Sequence, residues 1–323
     1  MIDKPLQERA AKIIHPLIPS DAEDRVRRSF RQWNQIVRQH IRGETGLKLA
    51  DGEGSTAIPV RIVEGFPQLL AQLIDRYRDP VIWKLIIGQP KIGGIIEGLT
   101  FLLDDWSLFE QWQEQPDVAR DGEEALRRAL DIAVALQKVA VAGQIRDEIR
   151  QINEDILGLY TYDDSGSQVE LYWMPIAMVS AMLDVRIEDL TLVVLIHELA
   201  HGYTHIGRDI DGRKWEDADF FGSDLNVIEG LAQFYAEVIT QRMASRTPGP
   251  KAAYEKLLEL QSGPYHAHRD WMKPTDQRRG EAIRFTLIAA RSHGVVEHKW
   301  WKDTLNRTGS NLGQPRNPKT SFF

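Results

Sequence analysis

The chain has 323 residues, 42% hydrophobic and 27% charged, which suits one large domain or two ordinary ones with a real core and argues against long disorder. A net charge of −7 argues against nucleic acid as the main partner, because phosphate binding needs a basic surface. The absence of cysteine excludes disulfides, thiolate zinc ligands and cysteine nucleophiles.

The start, Met1-Ile2-Asp3-Lys4-Pro5, lacks the charged-then-apolar plan of a signal peptide. The spacing of Val26, Phe30, Trp33, Val37 and Ile41 predicts a helix over residues 21–41, capped by Ser20 or Asp21. Arg25, Arg27, Arg28, Arg31 and Arg38 crowd this segment and read as a solvated helix face, with a local basic patch as the alternative. Residues 58–63 form a short β-like run, and 67–77 are helical again. The most apolar stretch, 81–103, is interrupted by Lys84, Pro90, Lys91, Glu97 and several glycines, so no membrane span is expected and cytoplasm is the expected location. Its glycine-rich part, 88–98, is expected to be a tight packing site or a hinge. Residues 121–156 are rich in alanine, leucine, arginine and glutamate and predict one long helix.

Downstream the texture changes. Residues 157–162 and 169–174 flank Asp163-Asp164-Ser165-Gly166-Ser167, a β-hairpin signal with a polar turn. A short helix is predicted over 176–184 and another over 189–206. Residues 207–223 read as a polar loop. Helices follow over 224–244, 252–260 and 276–291, and the tail from Thr308 reads as loose.

The helix predicted over 189–206 carries His197-Glu198-Leu199-Ala200-His201. Histidines four apart share one helix face, so two imidazoles can bind one tetrahedral zinc. Glu198 is rotated about 100° from His197 and is placed to take a proton from water on the open side of the metal. The preceding Leu192-Val193-Val194-Leu195-Ile196 predicts a buried helix, in which two histidines and a glutamate are costly without a metal or other partners. A third ligand is required. Glu229, in Glu229-Gly230-Leu231-Ala232, shares its face with Ala232 and Ala236 and is the leading candidate. Asp217, Asp219, Asp224 and His205 are the others. His205 lies two turns past His197, about 12 Å along a straight helix, and Asp224 or Ser223 suits the N-cap of the Glu229 helix. Tyr265, His266 and His268, in a run that follows Gly263-Pro264, are candidate catalytic donors for the developing oxyanion, against the alternative of a surface turn. Tyr235 is a further candidate. His293 and His298, near Trp300 and Trp301, read as a packing cluster.

His197-Glu198-Leu199-Ala200-His201 followed by Glu229-Gly230-Leu231-Ala232 resembles the gluzincin metallopeptidases. The resemblance covers residues 157–244. It implies zinc held by His197, His201 and Glu229, Glu198 as general base, and a small sheet packed against the active helix. Some gluzincins carry an aspartate four residues after the third ligand, where it orients a metal-bound histidine. This chain has Gln233 there. The metzincin pattern does not match, because Thr204 and Gly207 stand where it needs glycine and histidine. Peptide deformylase uses a cysteine ligand, and there is none.

The combined expectation is an α+β, mostly helical protein. A helical N-terminal region, 1–118, precedes a zincin-like domain, 119–323. The expected function is a zinc-dependent peptidase acting on a protein or peptide, with no nucleic-acid or membrane partner. The rivals are a non-catalytic zinc-binding interaction protein and a zinc amidase acting on a small molecule. If 169–174 is an exposed edge, an extended substrate would pair with it.

Overall fold

A computed structural model describes residues 3–49, 58–88, 121–152, 156–164, 166–261, 263–271 and 278–313. The chain is mostly helical with one small sheet, as an α+β reading requires. Four helices come first: α1 (Lys4–Ile14), α2 (Ala22–Thr45), α3 (Gln68–Arg76) and α4 (Pro80–Ile87). Helix α1 was not anticipated, although Leu6, Ala10 and Ile14 bury one face at helical spacing and Asp3 caps it. Helix α5 (Asp121–Gln151) stops short of the expected residue 156. The glycine-rich stretch expected to be a hinge lies, past Gly88, outside the described residues, as does the expected domain boundary at 118/119.

Three strands form the sheet: β1 (Val60–Val63), β2 (Gly158–Asp163) and β3 (Gly166–Tyr172), in the order β1-β3-β2. The hairpin pairs antiparallel from Gly158 opposite Leu171 to Asp163 opposite Gly166. Strand β1 pairs parallel with β3, from Val60 opposite Val169 to Val63 opposite Tyr172. Strand β3 is therefore central, which corrects the expectation that 169–174 offers an exposed edge. It also ends two residues early. Trp173 and Met174 are both buried and open the next helix, α6 (Trp173–Leu183), so their apolar run belongs to a helix packed on all sides and not to a strand.

Helix α7 (Ile187–Ile206) is the centre of the molecule. Every residue from Asp189 to His205 is buried. Valine and isoleucine are modest helix formers, so packing rather than propensity holds this segment. The side chains of Leu192 to Ile196, none more than 4% exposed, contribute about 1.5–3 kcal/mol each as an upper estimate. The helix packs against α2, α6, β2, β3 and two later helices, α9 (Leu225–Met243) and α10 (Gly249–Leu260). Its first turn carries Glu188 and Asp189, which suits the positive end of the helix dipole. Arg25 of α2 donates two hydrogen bonds of 2.8 Å to Glu188, and this guanidinium holds the Glu188 carboxyl down at about 2. Arg38 is 4% exposed and donates to the Ile58 carbonyl and to Asn34. The arginines of α2 are thus not one solvated face.

The expected loop over 207–223 contains a short helix, α8 (Asp217–Gly222), and the expected loose tail is helical to its last described turn in α12 (His298–Gly313). Between them lie the 3-10 segment Gly263–Asp270 and α11 (Arg279–Ala290).

Candidate metal centre

Helices α7 and α9 pack closely and bring three donors together. Asp224 caps α9, accepting from the Asn226 N–H at 2.8 Å, and thereby fixes where the helix starts. Glu229 stands one turn further on, among residues that face α7. Its Oε2 lies 3.2 Å from His197 Nε2 and 3.4 Å from His201 Nε2, and the two Nε2 atoms are 3.0 Å apart. Both histidines are buried, and the Glu229 side chain is 13% exposed.

These separations test whether a metal fits. Donors bonded at 2.0–2.1 Å to one tetrahedral cation sit about 3.3 Å apart. The three observed distances span that value, so the group could hold a metal ion. The charge balance agrees. Burial pushes the Glu229 carboxyl upward, but the adjacent imidazoles of His201 and His197 outweigh it and hold the group well below the usual carboxylate range.

Glu198 is 1% exposed and lies against the first residue of β2. Gly158 opens β2 directly against it: a Cβ at position 158 would lie 2.7 Å from both Cγ and Oε1 of Glu198. Next to His197 and Glu198 is a pocket of about 60 Å³, walled by apolar residues such as Ile149, Val194, Leu257 and Leu260. Gln233 and Gln261 also line it. The Gln233 amide donates to Gln261 Oε1 at 3.0 Å.

The structure separates the remaining candidates. His205 uses both ring nitrogens elsewhere: Nδ1 meets the Tyr160 hydroxyl at 2.9 Å and Nε2 meets Asp217 Oδ1 at 3.1 Å. It is fully buried, stacks on Phe220 with centroids 4.4 Å apart, and is pushed down to about 4 by that burial. Asp217 is engaged by His205 and by Lys214. Asp224 is the cap, and the Asp219 carbonyl accepts from Ser223. Tyr265 reaches the site: its ring centroid is 6.0 Å from that of His197 and it lines the pocket. His266 and His268 turn to other partners, the Gln261 carbonyl at 2.8 Å and the Tyr254 hydroxyl at 2.9 Å. Tyr235 is buried in the core among the charges of Glu44, Arg284 and Arg291, and burial pushes its hydroxyl up. His293 stacks on Trp300 at 4.1 Å, a packing role.

Sequence reasoning missed Gly158 and Tyr160. Tyr160 stacks over His201, with centroids 6.4 Å apart, while its hydroxyl holds His205. Gly202 makes room for this: a Cβ there would meet Ile58 at 2.6 Å and the Tyr160 ring at 3.2 Å. A signal was present, since Gly158, Tyr160 and Tyr162 alternate on one strand face. What they face depended on how the hairpin lands on α7. Compared with protein-family models, curated proteins and solved structures, the chain matches none.

Proposed function

We propose that this chain is a zinc-dependent peptidase of the gluzincin type. The observation that carries the reading is the triangle of His197, His201 and Glu229 donors, spaced as one face of a tetrahedron, with Glu198 and His197 lining one pocket. Two imidazoles and one carboxylate suit zinc, and three protein ligands leave one position open, as catalytic sites do. Zinc in such a site supplies Lewis acidity and makes water a nucleophile near neutral pH. Glu198 would take the proton of the attacking water and return it to the leaving nitrogen. Among Tyr265, His266 and His268, Tyr265 lines the pocket, and we assign to it the hydrogen bond to the developing oxyanion.

Two features support a peptide as substrate. The first is a strand edge that no other strand pairs with among the described residues. The Tyr172 N–H donates to the Leu157 carbonyl at 3.0 Å. The alternation of an antiparallel pair then turns the backbone N–H and C=O groups of Gly158, Tyr160 and Tyr162 away from β3. Among the described residues no strand covers that edge, and it begins at Glu198. An extended substrate would pair there. The second is the apolar pocket, which would take an apolar side chain beside the scissile bond.

The test is cleavage profiling of a peptide library, with and without a chelator, for the wild type and Glu198→Gln. Chelator-sensitive hydrolysis with an apolar preference, lost in Glu198→Gln while zinc is retained, is the expected result. Bound zinc without turnover on any peptide would identify a metal-holding interaction protein. Turnover confined to small amides would identify an amidase.

A further inference from the structure

The opposite edge of the sheet presents a second, chemically different groove. Arg27 and Arg31 lie one turn apart on the same face of α2, with Phe30 between them. Together with the four residues of β1 they line a cavity of about 370 Å³. Among the described residues its walls carry three arginines, Arg27, Arg31 and Arg61, and no acidic side chain. Glu23 pairs with Arg27 from outside the groove, and Glu170 stands opposite Arg61 on β3. Arg31 is exposed and makes no ion pair among the described residues.

The floor of the groove is an unpaired strand edge. The Val169 N–H donates to the Pro59 carbonyl at 2.9 Å. In a parallel ladder that phase directs the N–H and C=O of Arg61 to β3 and turns those of Val60 and Ile62 outward. Among the described residues no strand lies beyond β1. Val60 and Ile62 are half-buried against the core, so the edge is held rigid, while Arg61 projects from the other face.

We propose that this groove binds an extended, acidic segment of a partner protein, which adds to the sheet beside β1. Main-chain hydrogen bonds to Val60 and Ile62 would supply the register, and the arginines the preference for carboxylates. On a chain of net charge −7, a groove whose described walls carry three arginines and no acid, with Arg31 outside any ion pair among the described residues, is a local inversion of sign that favours an acidic occupant. The site lies across the sheet from Glu198 and β2, two strand spacings or about 10 Å away. It does not depend on the hydrolytic reading.

The probe is a fluorescent peptide of alternating glutamate and valine, titrated by anisotropy into the full chain carrying Glu198→Gln, so that any hydrolysis cannot remove it. Saturable, salt-weakened binding is expected. Arg31→Glu should weaken it about ten-fold or more, through loss of one attraction and gain of one repulsion. Ile62→Pro should do the same without disturbing the fold, because the N–H it removes points away from β3. A peptide with alternate amides N-methylated should not bind, and this arm decides the matter if Ile62→Pro fails to fold. Absence of saturable binding would overturn the proposal. So would binding that ignores N-methylation, or displacement by single-stranded DNA of equal charge, since either would mean simple counterion attraction.

Discussion

Gly158 and Glu198 touch: the first residue of β2 has no side chain, and the space a methyl group would fill holds the Cγ and Oε1 of the glutamate. The strand proposed to hold a peptide is thereby the wall that fixes the orientation of the proposed base. Gly158→Ala should displace the carboxylate while leaving the three metal donors untouched. Misplacing a reacting group by about 1 Å costs on the order of 10²-fold, so kcat/KM should fall by about that factor with zinc content unchanged. The overpacking should cost about 1–3 kcal/mol of stability. Metal analysis, turnover and urea unfolding of the purified variant check all three. Unchanged turnover would mean that Glu198 does not act from its observed position.

Glu198→Gln separates metal holding from chemistry. Glu198 is not one of the converging donors, and an amide cannot take a proton. Zinc should remain near one per chain while turnover falls about 10²–10⁴-fold, the usual contribution of general-base catalysis. Loss of zinc in this variant would place Glu198 among the ligands instead.

The candidate metal site was legible because its chemistry is written in local spacing. His197 and His201 are one turn apart, and Glu229 sits on a helix whose cap, Asp224, and small residues, Ala232 and Ala236, declare its inner face. The β2–β3 hairpin was legible for the same reason, through its polar turn. The pairing of β1 with β3 was not, because it joins residues over a hundred positions apart and nothing local specifies it. The partners of His205 were equally hidden. Tyr160 and Asp217 come from a strand and a short helix on either side of α7, and only the assembled core brings them to the ring. The end of β3 was misjudged because Trp173 and Met174 are buried in a helix that is apolar on every side, where periodicity carries no information.

The buried histidines set an acid limit on stability. Burial pushes His205 from 6.5 down to about 4. Burial, with the charges of Arg279 and Arg269, pushes His268 down to about 3. In the unfolded chain both rings bind protons near 6.5, so between that value and the folded values the unfolded state holds more protons. Their contribution is complete above about pH 6.5 and is lost as the pH falls toward 4 and then 3, on the order of a few kcal/mol in all. Urea midpoints of the chelated protein, measured from pH 7 to pH 4.5, should therefore decline steadily. Chelation removes the pH-dependent release of any bound metal from the profile. A flat profile would show that both rings protonate normally in the folded state.

The third donor decides whether a metal binds at all, since two imidazoles alone hold zinc weakly. Glu229 completes the triangle with His197 and His201, whose imidazoles hold its carboxyl below the usual range. Glu229→Ala should release most zinc and abolish turnover together. His205 provides the control. Helix α7 runs unbroken from Ile187 to Ile206, so His205 stays on its own turn, with both nitrogens engaged by Tyr160 and Asp217. His205→Ala should keep zinc near one per chain. It should lower stability by about 1–3 kcal/mol through the buried Tyr160 hydroxyl left without its hydrogen bond, since Asp217 is partly exposed and keeps Lys214. The comparison is metal analysis of both purified variants after dialysis, with circular dichroism to confirm that each is folded. If the His205 variant were empty and the Glu229 variant full, the donor triangle would not be the metal site, and the proposed peptidase chemistry at Glu198 would lose its basis.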